Sequence, residues 1–114
     1  MNTVSIQEYQ TLMTDIIHKQ MAILGPSLPI MLSQSIKGLK VADDGKVLSV
    51  GSDPEEFLNQ LITQYFNISE SLVKISIFPQ IEKIMGKEYC SMLLLDYQRK
   101  INELPEYDQN KEPM

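Results

Sequence analysis

The sequence predicts a mainly α domain of about five helices, packed as an irregular bundle with a short β-hairpin near residues 39–50. Three observations carry that reading. Apolar residues recur at three- and four-residue spacings over most of the chain. Glycine or proline punctuates those periodic stretches at Gly25-Pro26, Gly86 and Pro105. One internal stretch, 38–51, loses the helical period and carries Asp44-Gly45 between Val41 and Val47.

The first helix spans residues 5–24. Ser5 and Glu8 form an S-x-x-E capping box, which satisfies two backbone donors at a helix start. Tyr9, Leu12, Met13, Ile16, Ile17, Met21 and Leu24 then make one stripe, with Gln20 as its single polar member. The stripe runs into Ile23-Leu24-Gly25-Pro26-Ser27-Leu28-Pro29-Ile30-Met31-Leu32, where Gly25 suits a helix end and Pro26 cannot continue it. Because this break is itself apolar, Gly25, Pro26 and Pro29 are expected to form a buried, rigid corner between two helices. A second helix begins near Ser27 as its N-cap, with Pro29 in the first turn. It presents Leu28, Met31, Leu32, Ile36 and Leu39 on one side.

Asp-Gly flanked by β-formers predicts a hairpin in 38–51, a polar loop between helices being the alternative. Asp53 as N-cap, Pro54 at the first helical position and Glu56 two residues later open the next helix. Its stripe is Phe57, Leu58, Leu61, Ile62, Tyr65 and Phe66, and it ends near Asn67. Residues 69–85 carry a helical period through Val73, Ile77, Ile81 and Ile84, with a bend expected near Pro79. Val73, Ile75 and Ile77 also alternate, so an α+β fold with 73–78 as a third strand is the alternative. The last helix runs from Lys87 to Leu104, and its apolar side is broad, since Leu94 and Leu95 widen the row of Tyr89, Met92, Leu93, Tyr97 and Ile101. Residues 1–104 therefore read as one domain and 105–114 as a polar, disordered tail.

Composition narrows the functional classes. In a chain of 114 residues, 43% hydrophobic content with 22% charge describes a globular domain rather than a disordered one. Net charge is −5, and it is uneven: residues 1–50 balance four acids with four lysines, while 51–114 carry eleven acids against six bases. Such a surface repels phosphate backbones, so no nucleic-acid partner is expected. No apolar run approaches the roughly 20 residues of a membrane span, no secretory leader is legible, and a single cysteine fits a reducing compartment. A cytoplasmic protein follows as the expectation.

Catalytic or metal-binding patterns are sparse. His18 is the only histidine, with no partner at ligand spacing, and reads as a boundary residue. Cys90 lacks an electropositive neighbourhood and reads as structural. The acidic pair Asp43-Asp44 belongs to turn chemistry and Glu55-Glu56 to a helix N-terminus. Asn67-Ile68-Ser69 reads as a cap and turn. No cofactor and no enzymatic activity are expected from this inventory. The broad last helix, through Leu94, Leu95, Tyr97 and Ile101, is expected to contact a protein partner and to form a homodimer. A second possibility is a small-molecule sensor with a Met-rich apolar pocket between the first, second and fourth helices; Met13, Met21, Met31, Met85 and Met92 stand at apolar helical positions, where they can line an adaptable pocket or a partner groove.

The segment Met21-Ala22-Ile23-Leu24-Gly25-Pro26-Ser27-Leu28-Pro29-Ile30-Met31-Leu32, followed by Pro54-Glu55-Glu56-Phe57-Leu58-Asn59-Gln60-Leu61, resembles a small helical module that accompanies kinase and receiver domains in prokaryotic signalling proteins. That resemblance implies a regulatory or assembly role and assigns no functional residues.

Overall fold

A computed structural model describes residues 4–103. The order of elements is α1 (Ile6–Leu24), α2 (Ser27–Gln34), β1 (Lys40–Val41), β2 (Val47–Ser49), α3 (Pro54–Phe66), α4 (Glu70–Ser76), α5 (Phe78–Met85) and α6 (Lys87–Glu103). The fold is mainly α with one antiparallel hairpin. Among the described residues there are six helices rather than five, because 69–85 forms two. Pro79 can donate no backbone hydrogen bond, and its ring crowds the carbonyl one turn earlier. The chain answers with a break at Ile77 rather than a bend, and Pro79 falls in the first turn of α5, where its missing N–H is harmless. Residues 73–78 are thus helical but for that joint, and the hairpin gains no third strand.

Local chemistry starts α1, α3 and α4 as the sequence indicates. Ser5 N donates to Glu8 Oε1 at 2.9 Å and Glu8 N to Ser5 Oγ at 3.1 Å, closing the capping box. Asp53 caps α3 by accepting from Glu56 N at 3.3 Å, and Ser69 caps α4 by accepting from Leu72 N at 3.1 Å. Replacing a cap of this kind by alanine ordinarily costs about 1 kcal/mol.

The core is one cluster. From α1 it takes Tyr9, Leu12, Met13, Ile16 and Ile17; from α3, Leu58, Leu61, Ile62, Tyr65 and Phe66; from α4, α5 and the joint between them, Val73, Ile77, Phe78 and Ile81. α2 supplies less than expected: it stops at Gln34, and Ile36 and Leu39 reach the core through a turn that follows it. Phe66 is a hub at the end of α3. It meets Phe78 edge-on at 5.9 Å and stacks on Tyr97 at 4.2 Å between ring centroids, joining α3 to both α5 and α6.

Gln20, the polar member of the α1 stripe, is fully buried. Its Nε2 donates to Ser76 Oγ at 2.9 Å, and that hydroxyl donates in turn to Leu72 O at 2.6 Å, tying α1 to α4. Gln20 Oε1 has no hydrogen-bond partner among the described residues. An unpaired buried acceptor costs about 1–3 kcal/mol, whereas the bond that Nε2 makes contributes about 1 kcal/mol. Gln20→Met keeps the length of the side chain and removes both terms, while Ser76 retains its bond to Leu72. This variant is expected to match the parent or exceed it by about 1 kcal/mol in urea denaturation. A loss greater than about 2 kcal/mol would show that the α1–α4 bond outweighs the orphan oxygen.

Candidate interaction surfaces

The hairpin is held on α1 by a polar row beside the apolar stripe. Gln10, Thr14 and His18 lie four residues apart, hence on one side of the helix. Gln10 Nε2 donates to Leu48 O at 2.9 Å, Thr14 Oγ1 accepts from Val47 N at 2.9 Å, and His18 Nε2 donates to Asp44 O at 2.9 Å. All three bonds are to backbone, so α1 reads the path of the hairpin and not its side chains. The hairpin turns at Asp43-Asp44-Gly45: Gly45 N donates to Ala42 O at 2.9 Å and Ala42 N to Lys46 O at 2.8 Å. Lys46 N also donates to Asp44 Oδ1, which occupies that carboxylate in the turn. At the hairpin's base the ring of Phe57 packs against bare backbone at both Gly38 and Gly51.

The corner between α1 and α2 departs from the expected buried elbow. Pro29 is buried, but Pro26 and Ser27 are exposed, as are Ile23 and Met31, at 49% and 60%. Pro26, not Ser27, stands at the N-cap, and α2 starts without a side-chain cap bond. Gly25, at φ +87°, ends α1 by donating to Met21 O at 3.0 Å. A two-turn helix following so sharp a turn can bury one side only, so the apex of the turn stays at the surface. Beside it lies a shallow groove lined by Ile30, Met31, Gln34 and Asp43.

α6 divides the four interaction residues expected from its sequence. Leu94 packs against the core, and Tyr97 stacks on Phe66 while its hydroxyl donates to Phe66 O at 3.2 Å. Ile101, on the same side, is 43% exposed, and Leu95 points outward at 64%. The outward row is Glu88, Met92, Leu95, Arg99 and Asn102, spaced four, three, four and three residues apart and exposed throughout. Met92, at 62% exposure, belongs with Leu95 rather than with Tyr89 and Leu93, which turn inward. Every helix carries rows at that spacing, so the sequence alone does not single this one out. Next to it a groove of about 390 Å³ between α3 and α6 is lined by Glu55, Asn59, Tyr89, Met92, Leu95 and Arg99.

The remaining polar candidates have structural work. Cys90 is buried, its thiol 3.7 Å from Phe78 O, and burial, with Glu82 nearby, pushes it up to about 11. It is therefore a protonated, poorly nucleophilic thiol at neutral pH. Burial first, and then the charge of Glu55, raises the Tyr89 phenol, which donates to Asn59 Oδ1 at 3.0 Å. Among the described residues no three His, Cys, Asp or Glu side chains converge as a metal site. The methionines scatter: Met13 is in the core, Met21 lies under Gly45, Met31 is at the corner, Met85 is against the core and Met92 is on the outer side of α6. Among the described residues no helix is long and apolar enough to cross a membrane. Comparison with family models, curated proteins and solved structures returns no match to this chain.

Proposed function

We propose that the chain is a non-enzymatic protein–protein interaction domain of a cytosolic, prokaryotic signalling or regulatory system, and that α6 is its contact element. The observation that supports this is the pair Met92 and Leu95. Both are more than 60% exposed on a helix whose opposite side already packs on the core through Cys90, Leu93, Leu94 and Tyr97. Isolated apolar side chains are ordinary on a surface. Two on one ridge beside an open groove, framed by charges, have the make-up of an interface centre with a polar rim. The resemblance of the 21–32 and 54–61 segments to a signalling-associated module points the same way. The sensor reading has less support, because Met13 lies in the core while Met31 and Met92 are exposed on different helices.

The test is affinity capture from the native cell with the chain as bait. Wild type is expected to retain a specific protein that the Met92→Glu/Leu95→Glu variant loses, while both melt at similar temperatures. Equal retention by a folded double variant removes α6 as the contact element.

A further inference from the structure

We infer that the partner for the outer row of α6 is a second copy of this chain, docked antiparallel about a two-fold axis between positions 93 and 94. This rests on the reading of α6 as the contact element and adds to it an occupant, a direction and a register. Glu88, Met92, Leu95, Arg99 and Asn102 share one line of α6, which two copies can set face to face as a short seam. In such a seam the apolar positions are Met92 and Leu95, and they are flanked by one acid, Glu88, and one base, Arg99. Parallel pairing would set Glu88 against Glu88 and Arg99 against Arg99 of the other copy. Antiparallel pairing with Met92 opposite Leu95 sets Glu88 opposite Arg99 twice, once at each end.

The surroundings favour the same direction. Glu55, at the start of α3, lines the groove beside Tyr89 and so adds negative charge at the Glu88 end of the row, while Asp96, which also lines it, is paired with Arg99 at the other end. Arg99 is 65% exposed and is held toward the Asp96 carboxylate at 2.7 Å, which positions its guanidinium without burying it. Opposed helix dipoles also attract when the pair is antiparallel. Two apolar side chains per copy fall short of the roughly 800 Å² per partner of a standard interface, so the dimer forms at micromolar concentrations or above. Salt is expected to weaken it, because the flanking pairs are exposed.

Sedimentation over a concentration series up to about 1 mM reads this directly. Wild type is expected to shift from one-chain to two-chain mass. Glu88→Arg and Arg99→Glu should each raise the dissociation constant about tenfold or more, since each turns two attractive contacts into repulsive ones. The double variant Glu88→Arg/Arg99→Glu should recover most of that loss. Circular dichroism should be unchanged in all three, because both residues are exposed. A one-chain mass at every concentration overturns self-pairing. If capture of another protein by wild type and its loss in Met92→Glu/Leu95→Glu persist in that case, the α6 reading stands and only the occupant is wrong. A dimer indifferent to the reversals, or weakened by the double variant as much as by the singles, overturns the antiparallel register.

Discussion

Gly45→Ala is expected to destabilise the fold by about 2–5 kcal/mol, a large effect for one added methyl group. Two causes act together. Gly45 sits at φ +89°, where a side chain strains the backbone, and it is buried against α1. A Cβ there would lie 2.7 Å from Met21 Sδ, 3.0 Å from His18 Cδ2 and 3.1 Å from Ile17 Cγ2. Ile17 is locked in the core and cannot give way; Met21 is the neighbour able to move. In a Met21→Ala background the same substitution should therefore cost about 1 kcal/mol less, a coupling that a double-mutant cycle measures. Strict additivity would mean that strain alone sets the penalty. Exchange of the Val47 amide should accelerate most in Gly45→Ala, because its bond to Thr14 depends on the hairpin staying seated.

How the hairpin is seated shows where the sequence could be read and where it could not. The stripe from Tyr9 to Gln20 is legible because burying a helix side demands apolar residues at that spacing, and Asp44-Gly45 is legible because few residues tolerate the turn. Gln10, Thr14 and His18 do not stand out in the sequence, since polar residues bonding backbone leave the same pattern as polar residues facing water. Their exact four-residue spacing is the one trace they leave. On α6 the breadth of the apolar side was legible, but its division was not. Leu94 and Tyr97 turn inward because Phe66 and the core lie there, and that placement depends on α3 ending where it does. At the corner, apolar content was taken for burial. The sharp turn at Gly25-Pro26 instead leaves Ile23 and Met31 outside, which a one-dimensional pattern does not encode. These differences share one cause: a sequence period shows which side of a helix is apolar, while the neighbours decide how far along the helix that side is covered.

The second large effect is alkaline. Burial, with Glu82 a lesser contributor, lifts the Cys90 thiol from 9.0 to about 11, and burial likewise raises the phenols of Tyr9, Tyr65 and Tyr89 above 10.0. In each case the native state keeps a proton that the unfolded chain gives up first. Unfolding then releases protons, and stability falls as pH rises. The contribution is intact below pH 9, is drawn down for Cys90 between 9.0 and about 11, and for the tyrosines begins to fall at 10.0. Cys90 alone supplies at most about 2–3 kcal/mol over that window. The urea midpoint is expected to be flat from pH 7 to about 8.5 and then to drop steadily, by several kcal/mol of stability at about pH 11. Cys90→Ala should start lower, through lost packing, yet hold its value until about pH 10, where the tyrosines take over. An identical onset near pH 9 in wild type and Cys90→Ala would show that the thiol does not couple to folding. Thiol labelling offers an independent reading: at pH 8 the native protein should react far more slowly than the urea-unfolded chain, because reaction requires both exposure of Sγ and loss of its proton.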